Sequence, residues 1–115
     1  MPSAQESERG ISRYPYNAPF ERVAKIKAGL KTLALCMTKM QTKGLMGAPD
    51  FSEKGPGEKW RGSNWVYYVS KHSERMNLND STVEVFFDTA DRVQWIAPSR
   101  VEGAKELGSP EKKCI

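Results

Sequence analysis

The sequence contains few of the residues on which most catalytic and metal sites depend. One histidine, His72, and two cysteines, Cys36 and Cys114, occur among its 115 residues. A zinc site needs four ligands, and a disulfide-rich secreted scaffold needs more than two cysteines. A nucleophile needs a base within hydrogen-bond reach, and His72, beside Lys71 and near Glu74, is interpreted as an exposed loop residue. We therefore predict a protein that is not an enzyme and that has no metal site and no cofactor.

Long apolar runs are also missing. A membrane-spanning helix needs about 20 consecutive apolar residues, and the sequence has no such run, so we expect a soluble protein or one peripheral to a membrane. The first ten residues contain Glu6 and Glu8, so they are typical of neither a secretory signal nor a transit peptide. The length predicts one domain. We expect a flexible tail over residues 1–13, an α+β domain over 14–108, and a tail or short helix over 109–115.

Basic charge is concentrated in one part of the chain. The chain has 18 basic and 14 acidic residues, a net charge of +4. After Glu21 no acid interrupts a series of basic residues: Arg22, Lys25, Lys27, Lys31, Lys39 and Lys43. Such a segment is typical of a solvated helix face, or of a surface for an acidic protein, anionic lipid headgroups or nucleic acid. Arginine-rich clusters, zinc-finger spacing and aromatic RNA-binding signatures are absent, which disfavours nucleic acid.

One long amphipathic helix is predicted from about Ala18 to Met37. Apolar residues recur there at three- and four-residue spacing: Val23, Ile26, Leu30, Leu33 and Met37. Pro19 in the first turn favours the start of this helix. Gly29 costs about 1 kcal/mol relative to alanine inside a helix, and it indicates close packing against a sheet. Cys36, beside the apolar face, is interpreted as a buried structural cysteine.

Strand-forming segments follow in the second half of the chain. Residues 44–62 contain five glycines and two prolines and predict a long loop. Three β-prone segments follow, over residues 65–69, 82–87 and 92–97, and the last two form a hairpin whose turn contains Asp88. Alternation predicts that one set of strand residues faces the helix: Val83, Val85, Phe87, Val93, Trp95 and Ala97. The predicted fold class is α+β, with a small twisted antiparallel sheet packed against one long amphipathic helix, polar termini and a long Gly/Pro loop.

The hairpin and the residues after it resemble a known family, the domain-of-unknown-function family numbered 1499. Four stretches carry the resemblance: Val83-Glu84-Val85-Phe86-Phe87-Asp88, Asp91-Arg92-Val93, Pro98-Ser99-Arg100-Val101 and Leu107-Gly108. The Tyr14-Pro15-Tyr16 start is also similar, so the resemblance spans about residues 14–113. The chain departs from the family at Asp80-Ser81-Thr82, near Glu102 and at Ser109-Pro110. The resemblance implies an antiparallel α+β domain and an accessory subunit of mitochondrial complex I, and it supplies no reaction.

The absence of catalytic groups and the long aromatic-bearing loop predict an interaction protein. Trp60 lies between Lys59 and Arg61, and tryptophan and arginine are enriched at binding hot spots; the alternative is that Trp60 covers the sheet. The candidate partner-binding residues are Trp60, Arg61, Phe51, Lys25, Lys31, Lys39, Lys43 and Arg100.

The predicted function is a non-catalytic accessory subunit of a larger assembly, an organellar electron-transfer complex such as mitochondrial respiratory complex I. Its partners are other protein subunits, with peripheral membrane contact. The predicted location is mitochondrial, with plastid and cytosol as alternatives. The alternative functions are a module that binds a small ligand or an anionic lipid headgroup, using the open sheet face and lysines, and then a nucleic-acid-binding protein.

Overall fold

A computed structural model describes residues 14–54, 62–74 and 79–109. These residues form two helices and six strands. The helices are α1 (Phe20–Thr32) and α2 (Lys39–Met46). The strands are β1 (Tyr16–Asn17), β2 (Phe51–Lys54), β3 (Ser63–Lys71), β4 (Ser81–Phe87), β5 (Val93–Ser99) and β6 (Leu107–Gly108). The α+β class with a small antiparallel sheet is confirmed.

The prediction of one long helix is wrong, because the helical region is divided into two. After α1 ends, the chain forms backbone hydrogen bonds with the start of β5. The Cys36 N–H donates to the Val93 carbonyl at 2.7 Å, and the Val93 N–H donates to the Met37 carbonyl at 2.8 Å. Cys36 has a positive φ of 76°, which is incompatible with a continuing right-handed helix. Pairing with a strand distant in sequence therefore outweighs the local helical periodicity.

The second helix begins with a capping box. The Thr38 hydroxyl accepts from the Gln41 N–H at 3.1 Å, and the Gln41 side chain accepts from the Thr38 N–H at 2.9 Å. Both orphan donors at the helix start are thus satisfied. This Thr-x-x-Gln pattern is visible in the sequence.

All the strand pairs of the described sheet are antiparallel, in the order β1-β3-β4-β5-β6, with β2 also paired to β3. The short strand β1 pairs with the end of β3. The predicted hairpin of β4 and β5 is also present. In its turn the Asp88 carboxylate accepts from the backbone N–H groups of Ala90 and Arg92, at 2.9 and 3.0 Å, as the sequence predicts.

A β-bulge changes which side of β5 faces the core. Phe87 pairs with Val93, but Phe86 pairs with Trp95, so Gln94 is an extra residue on β5. Beyond the bulge Ile96, which is 1% exposed, takes the inward position. The expectation that Trp95 and Ala97 face the helices is therefore wrong.

The core lies between the two helices and one face of the sheet. Val83, Val85 and Phe87 are fully buried there, as predicted from their alternation. The remaining members come from both helices, the C-cap of α1, β3, β5 and the segment after β5: Ile26, Leu33, Met46, Tyr67, Val93, Ile96 and Val101. Gly29 does allow a close approach, but to α2 and not to the sheet. A Cβ atom at Gly29 would lie 2.6 Å from the Leu45 carbonyl oxygen.

The predicted long loop over residues 44–62 is only partly a loop. Gly44 belongs to α2, and residues 51–54 form β2 against β3. Residues 55–61 lie outside the described residues. The predicted tails over residues 1–13 and 110–115 also lie outside them.

Candidate functional site

The predicted binding residues do not form one surface among the residues that the structure describes. Trp60 and Arg61 lie outside the described residues. Phe51 is half-buried at the start of β2, opposite Val66. Arg100 is exposed at the end of β5, with a positive φ of 54°.

The predicted basic series is divided by the break between the helices. Lys25 and Lys43 are exposed on the pair of helices, and the Lys25 ammonium donates to the Gly44 carbonyl at 3.4 Å. Lys39 lines a separate cavity of about 510 Å³ together with the predicted residue Phe51, and it also forms contacts within the fold. Its ammonium lies 3.1 Å from an Asp91 carboxylate oxygen and 5.4 Å from the centre of the Phe87 ring. A continuous basic helix face is therefore not present.

Lys31 does lie at a concave site, which the sequence did not identify. A cavity of about 500 Å³ separates α1 from the chain between β5 and β6. Its walls carry three lysines and one acid, Lys27, Lys31, Lys105 and Glu102. Apolar side chains and one glycine complete the lining: Leu30, Ile96, Val101, Ala104, Leu107 and Gly103. The i, i+4 spacing of Lys27 and Lys31 places them on the same side of α1, but Lys105 reaches them only through tertiary structure.

A polar cluster links α1 to the sheet through Arg22. The Arg22 guanidinium is 3.1 Å from an Asp50 carboxylate oxygen and donates to the Ala48 carbonyl at 2.9 Å. It also lies over the Tyr67 ring, 5.7 Å from its centre. Burial raises the pKa of Tyr67, and burial followed by the nearby Asp50 carboxylate raises the pKa of Tyr16. These contacts join α1 to the connection before β2 and to β3.

The carboxylates Asp80 and Glu84, four positions apart in the sequence, lie in separate environments. Asp80 is 3% exposed, and its carboxylate is 2.8 Å from Nδ1 of His72, whose side chain is 48% exposed. Glu84 instead accepts from the Asn64 amide at 3.1 Å, and burial raises its pKa. Asp80 and Glu84 therefore do not form a carboxylate pair. Among the described residues no group of three or more histidine, cysteine, aspartate or glutamate side chains could hold a metal ion.

The sequence predicts Cys36 to be a buried structural cysteine. It is half-buried and disulfide-bonded. The other cysteine of the chain, Cys114, lies outside the described residues. Proteins that keep disulfides are typical of oxidising compartments.

Two large apolar side chains at helix starts are almost fully exposed. Phe20 in the first turn of α1 is 85% exposed, and Met40 in the first turn of α2 is 84% exposed. In the same α2 helix, Thr42 and Met46 are completely buried. Each helix therefore carries a large apolar side chain on its solvent-exposed, outer side.

No protein-family model and no curated protein matches the chain, so the resemblance to the family numbered 1499 stays a prediction. One solved structure, of an osmotically inducible lipoprotein, OsmE, is similar to this chain with a TM-score of 0.49 and 16% sequence identity. The match covers 72% of this chain and 87% of the OsmE chain. This similarity is too low to assign either fold or function. No helix in the described parts of the chain is long and apolar enough to span a membrane.

Proposed function

We propose that this chain is a non-catalytic accessory subunit that binds other protein subunits through the outer side of its two helices. The exposure of Met40, at 84%, carries this proposal. Methionine adapts its shape to partner surfaces, and aromatic side chains such as that of exposed Phe20 anchor many interfaces. Exposed Lys25 and Lys43 supply positive charge on the same pair of helices, which suits a partner with acidic groups around an apolar centre.

Mitochondrial complex I, the assembly implied by the sequence resemblance, stays a prediction within this proposal. The disulfide bond at Cys36 restricts the predicted organellar location to an oxidising compartment. Thiols in reducing compartments are kept reduced, so the chain belongs on the oxidising side of any membrane that its assembly occupies.

Site-specific photo-crosslinking in the source cells tests the proposal. A photoreactive phenylalanine analogue replaces Phe20 in one variant and Met40 in another. A third variant carries it at Thr89, an exposed residue of the β4–β5 turn, as the control. We expect the first two positions to cross-link to the same small set of subunits, in fractions where the chain migrates as part of a larger complex. A chain that migrates alone, or equal cross-linking from Thr89, would contradict the proposal.

A further inference from the structure

We propose that the cavity between α1 and the β5–β6 connection binds a free single-chain amphipathic anion, such as a fatty acid. The cavity is separate from the proposed subunit-binding side chains, since neither Phe20 nor Met40 lines it. Its volume of about 500 Å³ falls within the range of about 300–1,000 Å³ that is typical of small-molecule sites.

The apolar part of the cavity fits a hydrocarbon chain. Ile96 and Val101 are 1% and 9% exposed and so belong to the core, while Leu107 is 43% exposed. The lining therefore runs from buried aliphatic side chains to a partly exposed leucine. A hydrocarbon chain in this cavity would cover apolar surface of Leu107 that is otherwise in water, and removing apolar surface from water favours binding.

The charged part of the cavity fits an anionic head. Lys27, Lys31 and Lys105 line it together with one acid, Glu102, so the lining has an excess of two positive charges. Within the described ranges, none of these three ammonium groups takes part in a hydrogen bond, ion pair or ring contact. By contrast, Lys39 is paired with Asp91, and Lys71 donates to the Glu74 carbonyl. Three of the lysines that lack a side-chain partner among the described residues thus line one apolar cavity.

Calorimetric titration of the isolated full-length chain with monomeric dodecanoate tests this proposal. Dodecanol matches the chain length without the charge, acetate matches the charge without the chain, and dodecyltrimethylammonium reverses the charge. We expect dodecanoate to bind with one-to-one stoichiometry and at least tenfold more tightly than each of these controls. Equal affinity for dodecanol would overturn the role of the lysines, and absence of dodecanoate binding would overturn the site. Binding to vesicles of an anionic phospholipid, without binding of monomeric dodecanoate, would also overturn it.

Matched lysine variants locate the site. Lys27→Gln and Lys31→Gln should each weaken dodecanoate binding by about tenfold, because each removes a charge-assisted contact. Lys54→Gln removes an exposed lysine from β2, away from the cavity, and should leave the affinity unchanged. Ala104→Phe, which places a larger side chain in the cavity, should abolish binding while the chain remains folded by circular dichroism. Equal loss in Lys54→Gln would show nonspecific charge attraction and contradict the proposal. These measurements need no partner subunit, so they are independent of the proposed assembly.

Discussion

Asp50 joins three parts of the fold through one carboxylate. Its Oδ2 atom accepts from the Tyr68 backbone N–H at 2.7 Å and lies 3.1 Å from the Arg22 guanidinium. Its own N–H donates to the Val66 carbonyl at 2.9 Å. One side chain thereby holds the connection after α2, helix α1 and strand β3 in a fixed arrangement, and it is only 15% exposed.

Asp50→Asn should lower the free energy of unfolding by about 1.5–3 kcal/mol, the value of hydrogen bonds to charged groups. Asparagine has no charge to pair with Arg22, and only one of its side-chain polar atoms can accept. Asp91→Asn is the matched control, because the Asp91 side chain is 66% exposed in its pair with Lys39 and should cost less than about 1 kcal/mol. Urea unfolding at pH 7 measures both. Equal costs for the two variants would show that the Asp50 cluster has no special structural role.

Tyr67→Phe should be destabilising at neutral pH and less so at alkaline pH. The Tyr67 hydroxyl donates to the Gly47 carbonyl at 2.7 Å, and the loss of a hydrogen bond of this kind costs about 1 kcal/mol. Burial raises the pKa of Tyr67 above its ordinary value of 10.0. The unfolded chain therefore releases this proton first, and the wild type loses stability as the pH rises through and above 10.

The phenylalanine variant lacks this titration, so its disadvantage should shrink between pH 8 and pH 10.5. Unfolding curves in urea at both pH values measure the difference. The ionisation of Tyr16 is common to both proteins and cancels in this comparison. A difference that stays constant with pH would contradict the burial of an ionisable Tyr67 hydroxyl.

The two helices depend on close contact at Gly29. A Cβ atom there would lie 2.6 Å from the Leu45 carbonyl oxygen and 2.7 Å from Cγ of Met46. Such distances require α1 and α2 to move apart, which disturbs the packing of fully buried Met46. Gly29 thus determines how closely the two helices pack, although glycine is intrinsically unfavourable in a helix.

Gly29→Ala and Gly44→Ala should therefore change stability in opposite directions. Alanine gains about 1 kcal/mol over glycine in a helix interior, but overpacking costs about 1–3 kcal/mol, so Gly29→Ala should be destabilising overall. A Cβ atom at Gly44 meets nothing within 4 Å, so Gly44→Ala should gain up to about 1 kcal/mol. Thermal and urea unfolding measure both. Stabilisation by both substitutions would show that the helices are not in tight contact.

Sequence patterns predict helices, strands and turns correctly where the local preference and the tertiary packing favour the same structure. Alternation correctly assigns Val83, Val85 and Phe87 to the core, and Asp88 correctly marks the hairpin turn. The single-helix prediction fails because its apolar spacing continues through Met37, whose carbonyl is bonded to Val93. The spacing of apolar residues carries no information about this pairing with β5. The Thr38–Gln41 capping pattern, however, does mark the start of the second helix.

The assignment of Trp95 fails for a different reason. The alternation rule assumes that successive strand residues point to opposite faces of the sheet. The extra residue Gln94 shifts this alternation, so each later residue of β5 points to the face opposite to the predicted one. Trp95 consequently stacks on Phe86 on the opposite face of the sheet, with ring centres 4.4 Å apart. No turn residue or glycine at this position marks the bulge in the sequence.

The candidate site was less predictable than the fold because it depends on the whole molecule. Lys31 was identified from charge alone, but its neighbours in the cavity include Lys105 and Leu107, more than seventy positions later in the chain. Lys39, identified by the same criterion, contacts Asp91 and the Phe87 ring. Charge along the sequence therefore does not reveal which lysines lack partners after folding.

The disulfide at Cys36 predicts how the stability of the whole molecule depends on redox conditions. If the bond is intramolecular, its other half is Cys114, since the chain has two cysteines, and it closes a loop of about 80 residues. Such a loop restricts the unfolded chain and adds about 4 kcal/mol to stability in the chain-entropy model.

We expect reductant to lower the unfolding midpoint of the wild-type chain markedly. The variants Cys36→Ser and Cys114→Ser should each have this lower midpoint, and reductant should not change it further. Nonreducing electrophoresis should show a monomer after equilibration in an oxidising glutathione buffer. Two titratable thiols in that buffer, or a disulfide-linked dimer, would contradict the intramolecular bond.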